Sequence, residues 1–100
     1  MCKTEIFAKI LHEVSEETEV PESDIVSGCR NAEAVDARYI LVYFLYRRGF
    51  YASTIAPFLN CRKRSVNHMM SDFESRMRHS PMMRLCFDRL HTKLGGAIVV

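Results

Sequence analysis

The stretch "RNAEAVDARYILVYFLYRRG", residues 30–49, decides the fold. Its middle, Tyr39–Tyr46, is apolar on every side, and periodicity alone would allow a buried strand as readily as a buried helix. The two ends choose between them. Asn31 is a strong N-cap type, and Glu33 puts an acid in the first turn, where the helix dipole is positive. Arg47 and Arg48 occupy the last turn, and Gly49 stands where a left-handed residue closes a helix. The segment reads as a central helix packed on all sides.

Working outward, the rest of the chain also reads as helix. Ile6, Phe7, Ile10, Leu11 and Val14 fall at helical spacing, and Thr4 is a suitable cap, so the spacing predicts a helix over 4–18. Pro21 interrupts, leaving "PESDIVSG" room for one short turn of helix before Gly28. After Gly49, "STIAPFLN" predicts a short helix capped by Ser53 and stopped by a left-handed Asn60, with Pro57 awkward in its interior. A longer helix then runs to about His79 and ends at Ser80-Pro81. Its inner stripe is Val66, Met70, Phe73 and Met77; Arg64, His68, Ser71 and Ser75 lie opposite, with Asn67 beside them. "PMMRLCFDRLHTKL" predicts a last helix with Met83, Phe87, Leu90 and Leu94 inward, ending before Gly95-Gly96. The expected architecture is therefore all-α, a compact bundle of five to six helices in one domain over 1–94. Residues 95–100, ending in "AIVV", are expected to form a flexible tail or to dock on a neighbouring chain.

Composition agrees with an ordinary globular domain: 100 residues, 48 per cent hydrophobic and 26 per cent charged. No run approaches the ~18 apolar residues of a membrane span, so no membrane partner is expected. Acids interrupt the N-terminal apolar stretch where a signal peptide needs a clean run, which predicts a cytoplasmic protein. The four cysteines, at 2, 29, 61 and 86, form no CxxC and have no histidine at finger spacing. They read as free thiols in a reducing compartment, with Cys86 as core filler. Cys61 and His68 are about 10 Å apart along a helix, too far for proton transfer. No carboxylate pair, triad or metal constellation is present, so neither enzymatic activity nor a cofactor is expected.

Charge is distributed unevenly. The net charge is +2, but residues 1–26 hold two lysines against seven acids, and residues 27–100 hold twelve cations against five. A polyanion would feel the second part. Within it, "NCRKRSVNHMMSD", residues 60–72, sets Arg62, Lys63 and Arg64 side by side at the start of a helix. A short helix, a tight turn and a helix with a cationic tip describe a helix-turn-helix. That arrangement suits double-stranded DNA. Arg and Lys neutralise phosphates with release of counterions, and the major groove admits one helix. Small Ser71 and Ser75 permit close approach, and Arg64, Asn67 and His68 can donate to base edges.

Residues 27–78 resemble the C-terminal DNA-binding domain of the bacterial chromosomal replication initiator, DnaA. "SGCRNAEAVDARYILVYFLYRRGF" is similar to that domain's basic loop and long central helix, and "STIAPFLNCRKRSVNHMM" to its helix-turn-helix signature. The resemblance implies an all-helical domain of the Trp-repressor-like class, whose second motif helix enters the major groove. By that likeness Arg30 falls on an arginine that reaches the minor groove, and Arg38 on one that contacts the backbone. Ser65 and Val66 fall on the motif's final Thr-Val, and His68 on a histidine that often follows. The family signature reads Arg-Asp-His-Ser/Thr-Thr, where this chain has Cys61-Arg62-Lys63-Arg64-Ser65. Basic character is kept, the carboxylate is gone, and Lys63 replaces the histidine. Ala32 and Asp36 also stand where the family's basic loop has cations. No GxxxxGK[ST] occurs, so no nucleotide is expected.

The expected role is thus a small DNA-binding regulator of replication or transcription without ATPase activity. The competing reading is a helical protein-interaction module. Met69, Met70, Met77, Met82 and Met83 crowd into fifteen residues, and Met-rich faces adapt to a partner protein or a second copy of the chain.

Overall fold

The computed structural model describes residues 3–28 and 30–98. Six helices follow one another: α1 (Lys3–Thr18), α2 (Glu22–Val26), α3 (Ala32–Arg47), α4 (Ala52–Phe58), α5 (Lys63–His79) and α6 (Pro81–Ile98). No strand occurs among the described residues, and none of these helices is long and apolar enough to cross a membrane. The fold is all-α.

α3 touches every other helix. Its Ile40, Leu41, Val42, Phe44 and Leu45 are almost fully buried, which is what an all-round apolar helix requires. Asn31 caps it as expected, accepting from the Glu33 and Ala34 amides at 2.9 and 3.4 Å. At its other end Gly49 sits at φ 95°. The Gly49 amide donates to the Tyr46 carbonyl and the Phe50 amide to the Leu45 carbonyl, at 2.9 and 3.1 Å. This paired closure needs a left-handed residue, and glycine adopts one without strain. Phe50 is carried back into the core, and the chain turns directly into α4.

Packing around α3 is largely aromatic. Tyr43 stacks on Phe73 of α5 at 4.7 Å between centroids, and Phe87 of α6 meets the edge of Tyr43 at 5.0 Å. On the other side Phe7 of α1 stacks on Phe58 of α4 at 4.3 Å. A polar network fastens α5 to α3. Arg76 donates to Asp36 at 2.6 Å and lies over the Tyr39 ring, while Tyr39 donates to Asp72 at 3.4 Å and Ser80 to Asp36 at 3.2 Å. Asp36, which fell on a basic-loop position by resemblance, is therefore the anchor of a half-buried ion pair on α3. The acidic N-terminal segment also finds partners at home: Lys93 pairs with Glu13 and Glu17, and Arg89 with Glu17, across α1 and α6.

Four boundary and face expectations differ. α1 opens at Lys3, so Thr4 lies inside its first turn; helix ends commonly shift by a residue. α4 is capped at Tyr51 and not at Ser53, because the Tyr51 carbonyl accepts the Thr54 and Ile55 amides, each at 2.9 Å. The α6 backbone continues through Gly95 and Gly96 to Ile98. A glycine weakens a helix by about 1 kcal/mol but ends it only where the backbone turns left-handed. Val99 and Val100, the end of the expected tail, lie outside the described residues. Finally, the buried stripe of α5 is Val66, Met69 and Phe73, with Met70 and Met77 half-buried. α5 packs against both α3 and α4, so its covered arc extends further round toward Met69.

Candidate nucleic-acid interface

α4 and α5 follow each other across a four-residue turn, residues 59–62. Asn60 adopts φ 53°. The Asn60 amide donates to the Pro57 carbonyl and the Cys61 amide to the Ala56 carbonyl, at 3.3 and 3.1 Å. This is the same paired closure that ends α3, with asparagine in the left-handed place. Pro57 sits near the end of α4, which stops one residue later at Phe58. The helix is short because the proline withholds the amide that the Ser53 carbonyl would have used.

The tip of α5 is then built without a side-chain cap. Arg62 is the N-cap residue in extended backbone, and no side chain accepts from the first amides. The first turn carries no acid, and it begins with Lys63 and Arg64. Three cations at the positive end of a helix dipole oppose the local preference, so the sequence here favours something other than helix stability. An anion meeting this tip would find guanidinium and ammonium groups together with uncapped backbone N–H groups.

The expected base-reading side is laid out around the same tip. Arg62, Lys63, Arg64, Ser65, Asn67, His68 and Ser71 are exposed, while Val66 is fully buried. Among the described residues, none of these exposed side chains is held by a hydrogen bond or ion pair. Ser71 borders a groove of about 290 Å³ between α3 and α5, whose walls include Tyr39, Tyr43, Tyr46, Met70 and Glu74. Arg30 is exposed just before α3.

Arg38 departs from expectation. The resemblance puts it on the phosphate backbone, but among the described residues it is the one charged residue buried in the core, at 7% exposure. Its Nε donates to the Ile25 carbonyl at 2.7 Å and its Nη2 to the Asp24 carbonyl at 3.1 Å. A guanidinium taken out of water needs such acceptors, and α2 supplies them because its last carbonyls have no helical partner. Arg38 is therefore held inside the fold against the end of α2. A sequence signal for this existed: a cation directly before the all-round apolar run Tyr39–Tyr46 of the central helix. Asn60, read from the sequence only as a left-handed stop, also donates its Nδ2 to the Val26 carbonyl at 3.3 Å.

The chain matches no known family model, curated protein or solved structure.

Among the described residues no group of three His, Cys, Asp or Glu is placed to hold a metal ion. Burial pushes the Cys61 thiol above its ordinary value, with the Arg38 charge opposing. Burial likewise raises Cys86, with Glu17 adding to the effect. Thiols shifted upward are poorer nucleophiles at neutral pH.

Proposed function

We propose that the protein binds double-stranded DNA, with the tip of α5 entering the major groove and Arg30 contacting the flanking backbone or minor groove. The observation that carries this reading is the uncapped α5 tip, where Arg62, Lys63 and Arg64 stand exposed above a buried Val66. The helix-turn-helix geometry and the resemblance to the DnaA C-terminal domain support it. Arg62 and Lys63 serve the phosphates; Arg64, Asn67 and His68 face base edges, and Ser65 and Ser71 keep the surface low enough for contact. With the signature carboxylate absent, backbone contacts dominate affinity. The role that follows is a small regulator of replication or transcription that needs no nucleotide.

Selection from a random duplex pool tests this reading. Duplexes should be retained at low salt, and retention should vanish when Arg62, Lys63 and Arg64 are all replaced by alanine. Failure to retain any duplex at low salt would overturn it.

One observation favours a second reading, a protein-interaction module: Met82 and Leu85 on α6 are 68% and 44% exposed. The other four clustered methionines are packed, with Met69 and Met83 buried and Met70 and Met77 half-buried. An apolar face of two residues is a small basis for a partner.

A further inference from the structure

We propose that Arg38 and Asn60 form a positioning clamp that fixes the Arg30 loop to the tip of α5, so that both basic points meet one duplex in a set register. This inference rests on the duplex-binding reading of that face.

α2 has five residues, so its final carbonyls have no helix ahead of them to supply donors. Three consecutive ones are met from elsewhere in the chain. Arg38, on α3, takes the Asp24 and Ile25 carbonyls, and Asn60, in the turn before α5, takes the Val26 carbonyl. The end of α2 is thereby tied at once to the central helix and to the helix-turn-helix corner.

The consequence is a bounded distance. Arg30 is four residues beyond Val26, so their Cα atoms are at most about 14 Å apart. Arg62 is two residues beyond Asn60, at most about 7 Å along the chain. Between Val26 and Arg30, Gly28 turns the backbone at φ 81°. With the clamp closed, these limits and the Asn60–Val26 hydrogen bond keep Arg30 and the α5 tip within about 30 Å of each other, inside one turn of a duplex at about 34 Å. Without the Asn60 bond, the end of α2 loses its hydrogen bond to the turn before α5.

The two residues divide the work. Arg38 is buried, and its loss would leave carbonyls in the core without donors, which destabilises the fold itself. Asn60 is exposed, and water can take the place of its side chain at Val26. Its bond therefore contributes little to stability and chiefly sets where the loop sits. The left-handed backbone that makes Asn60 the turn residue also presents its side chain to α2.

Asn60→Gly isolates this role, because glycine keeps the left-handed turn and removes only the amide side chain. The first measurement needs no DNA. Amide hydrogen exchange at Ser27, Gly28 and Arg30 should quicken several-fold in the variant, while the helical core and the melting temperature change little. Unchanged exchange there would overturn the clamp whether or not the protein binds DNA. The second measurement is a double-mutant cycle on a fixed random duplex at fixed salt. Arg30→Ala should weaken binding about tenfold in the parent chain and less than about twofold in the Asn60→Gly background. An equal loss in both backgrounds would overturn the register role. If exchange responds as expected but the parent chain binds no duplex, the duplex-binding reading fails and the register role fails with it.

Discussion

Arg64 and Lys63 are neighbours in the chain but should behave differently. Arg64 presents a planar fork suited to a guanine edge, whereas Lys63 is a flexible point charge suited to a phosphate. Arg64→Ala should cost about 1–3 kcal/mol on a preferred site and relax preference at one base position. Lys63→Ala should weaken binding evenly on all sequences and flatten the salt slope by about one unit. Competition binding on a set of single-base variants separates the two, and an even loss for Arg64→Ala would make it a phosphate contact instead. At this scale the sequence was legible wherever backbone chemistry dictates residue type. Asn31, Gly49 and Asn60 each occupy the cap or left-handed place that their chemistry suits. It was not legible at Arg38, because burial of an arginine depends on acceptors that only the folded chain brings near. The Asp24 and Ile25 carbonyls lie fourteen and thirteen residues away.

The helix α5 carries a conflict between its own stability and its proposed work. A side chain that accepts hydrogen bonds is preferred at its N-cap, and Arg62 stands there with none. Arg62→Asp supplies a cap and an acid at the positive end of the dipole, and a good cap is worth about 1 kcal/mol. The variant should melt about 4–8 °C higher, as expected for a domain of this length, and bind duplex more weakly. Thermal melts and binding isotherms on the same preparation check both halves. A melting temperature that fails to rise would show that the α5 terminus gains nothing from a cap. Element identity and order were readable because each helix from α1 to α5 has its own stop: Pro21, Gly28, Gly49, Asn60 or Ser80-Pro81. The facing of α5 was readable only in part. A 3.6-residue period locates the apolar stripe, but the choice between Met69 and Met70 was made by α3 and α4 packing on it together.

For the molecule as a whole, three groups should lower stability in alkali. Burial pushes the Cys61 and Cys86 thiols above their ordinary value of 9.0. Burial, with the Asp72 carboxylate beside it, pushes the Tyr39 phenol above 10.0. In each case the folded chain holds its proton more tightly than the unfolded chain does. The stabilisation is complete below those ordinary values and declines as pH rises past them. Melting temperature should therefore be lower at about pH 10.5 than at about pH 8, and Tyr39→Phe should reduce the drop. A flat profile across that window would show that the three groups titrate alike in both states.

The same scale holds the central claim, that an exposed basic tip on a helical bundle binds duplex DNA. Its charge is grouped: Arg89 and Lys93 of α6 pair with Glu13 and Glu17 of α1, whereas Arg62, Lys63 and Arg64 stand exposed side by side, with Arg30 exposed before α3. The most direct test is the salt dependence of binding to a random duplex, followed by fluorescence anisotropy between about 50 and 200 mM salt. Phosphate contacts from Arg62 and Lys63, with or without Arg30, predict a slope of log K against log salt concentration of about −2 to −3. A slope near zero, or no binding at the lowest salt, would contradict the account.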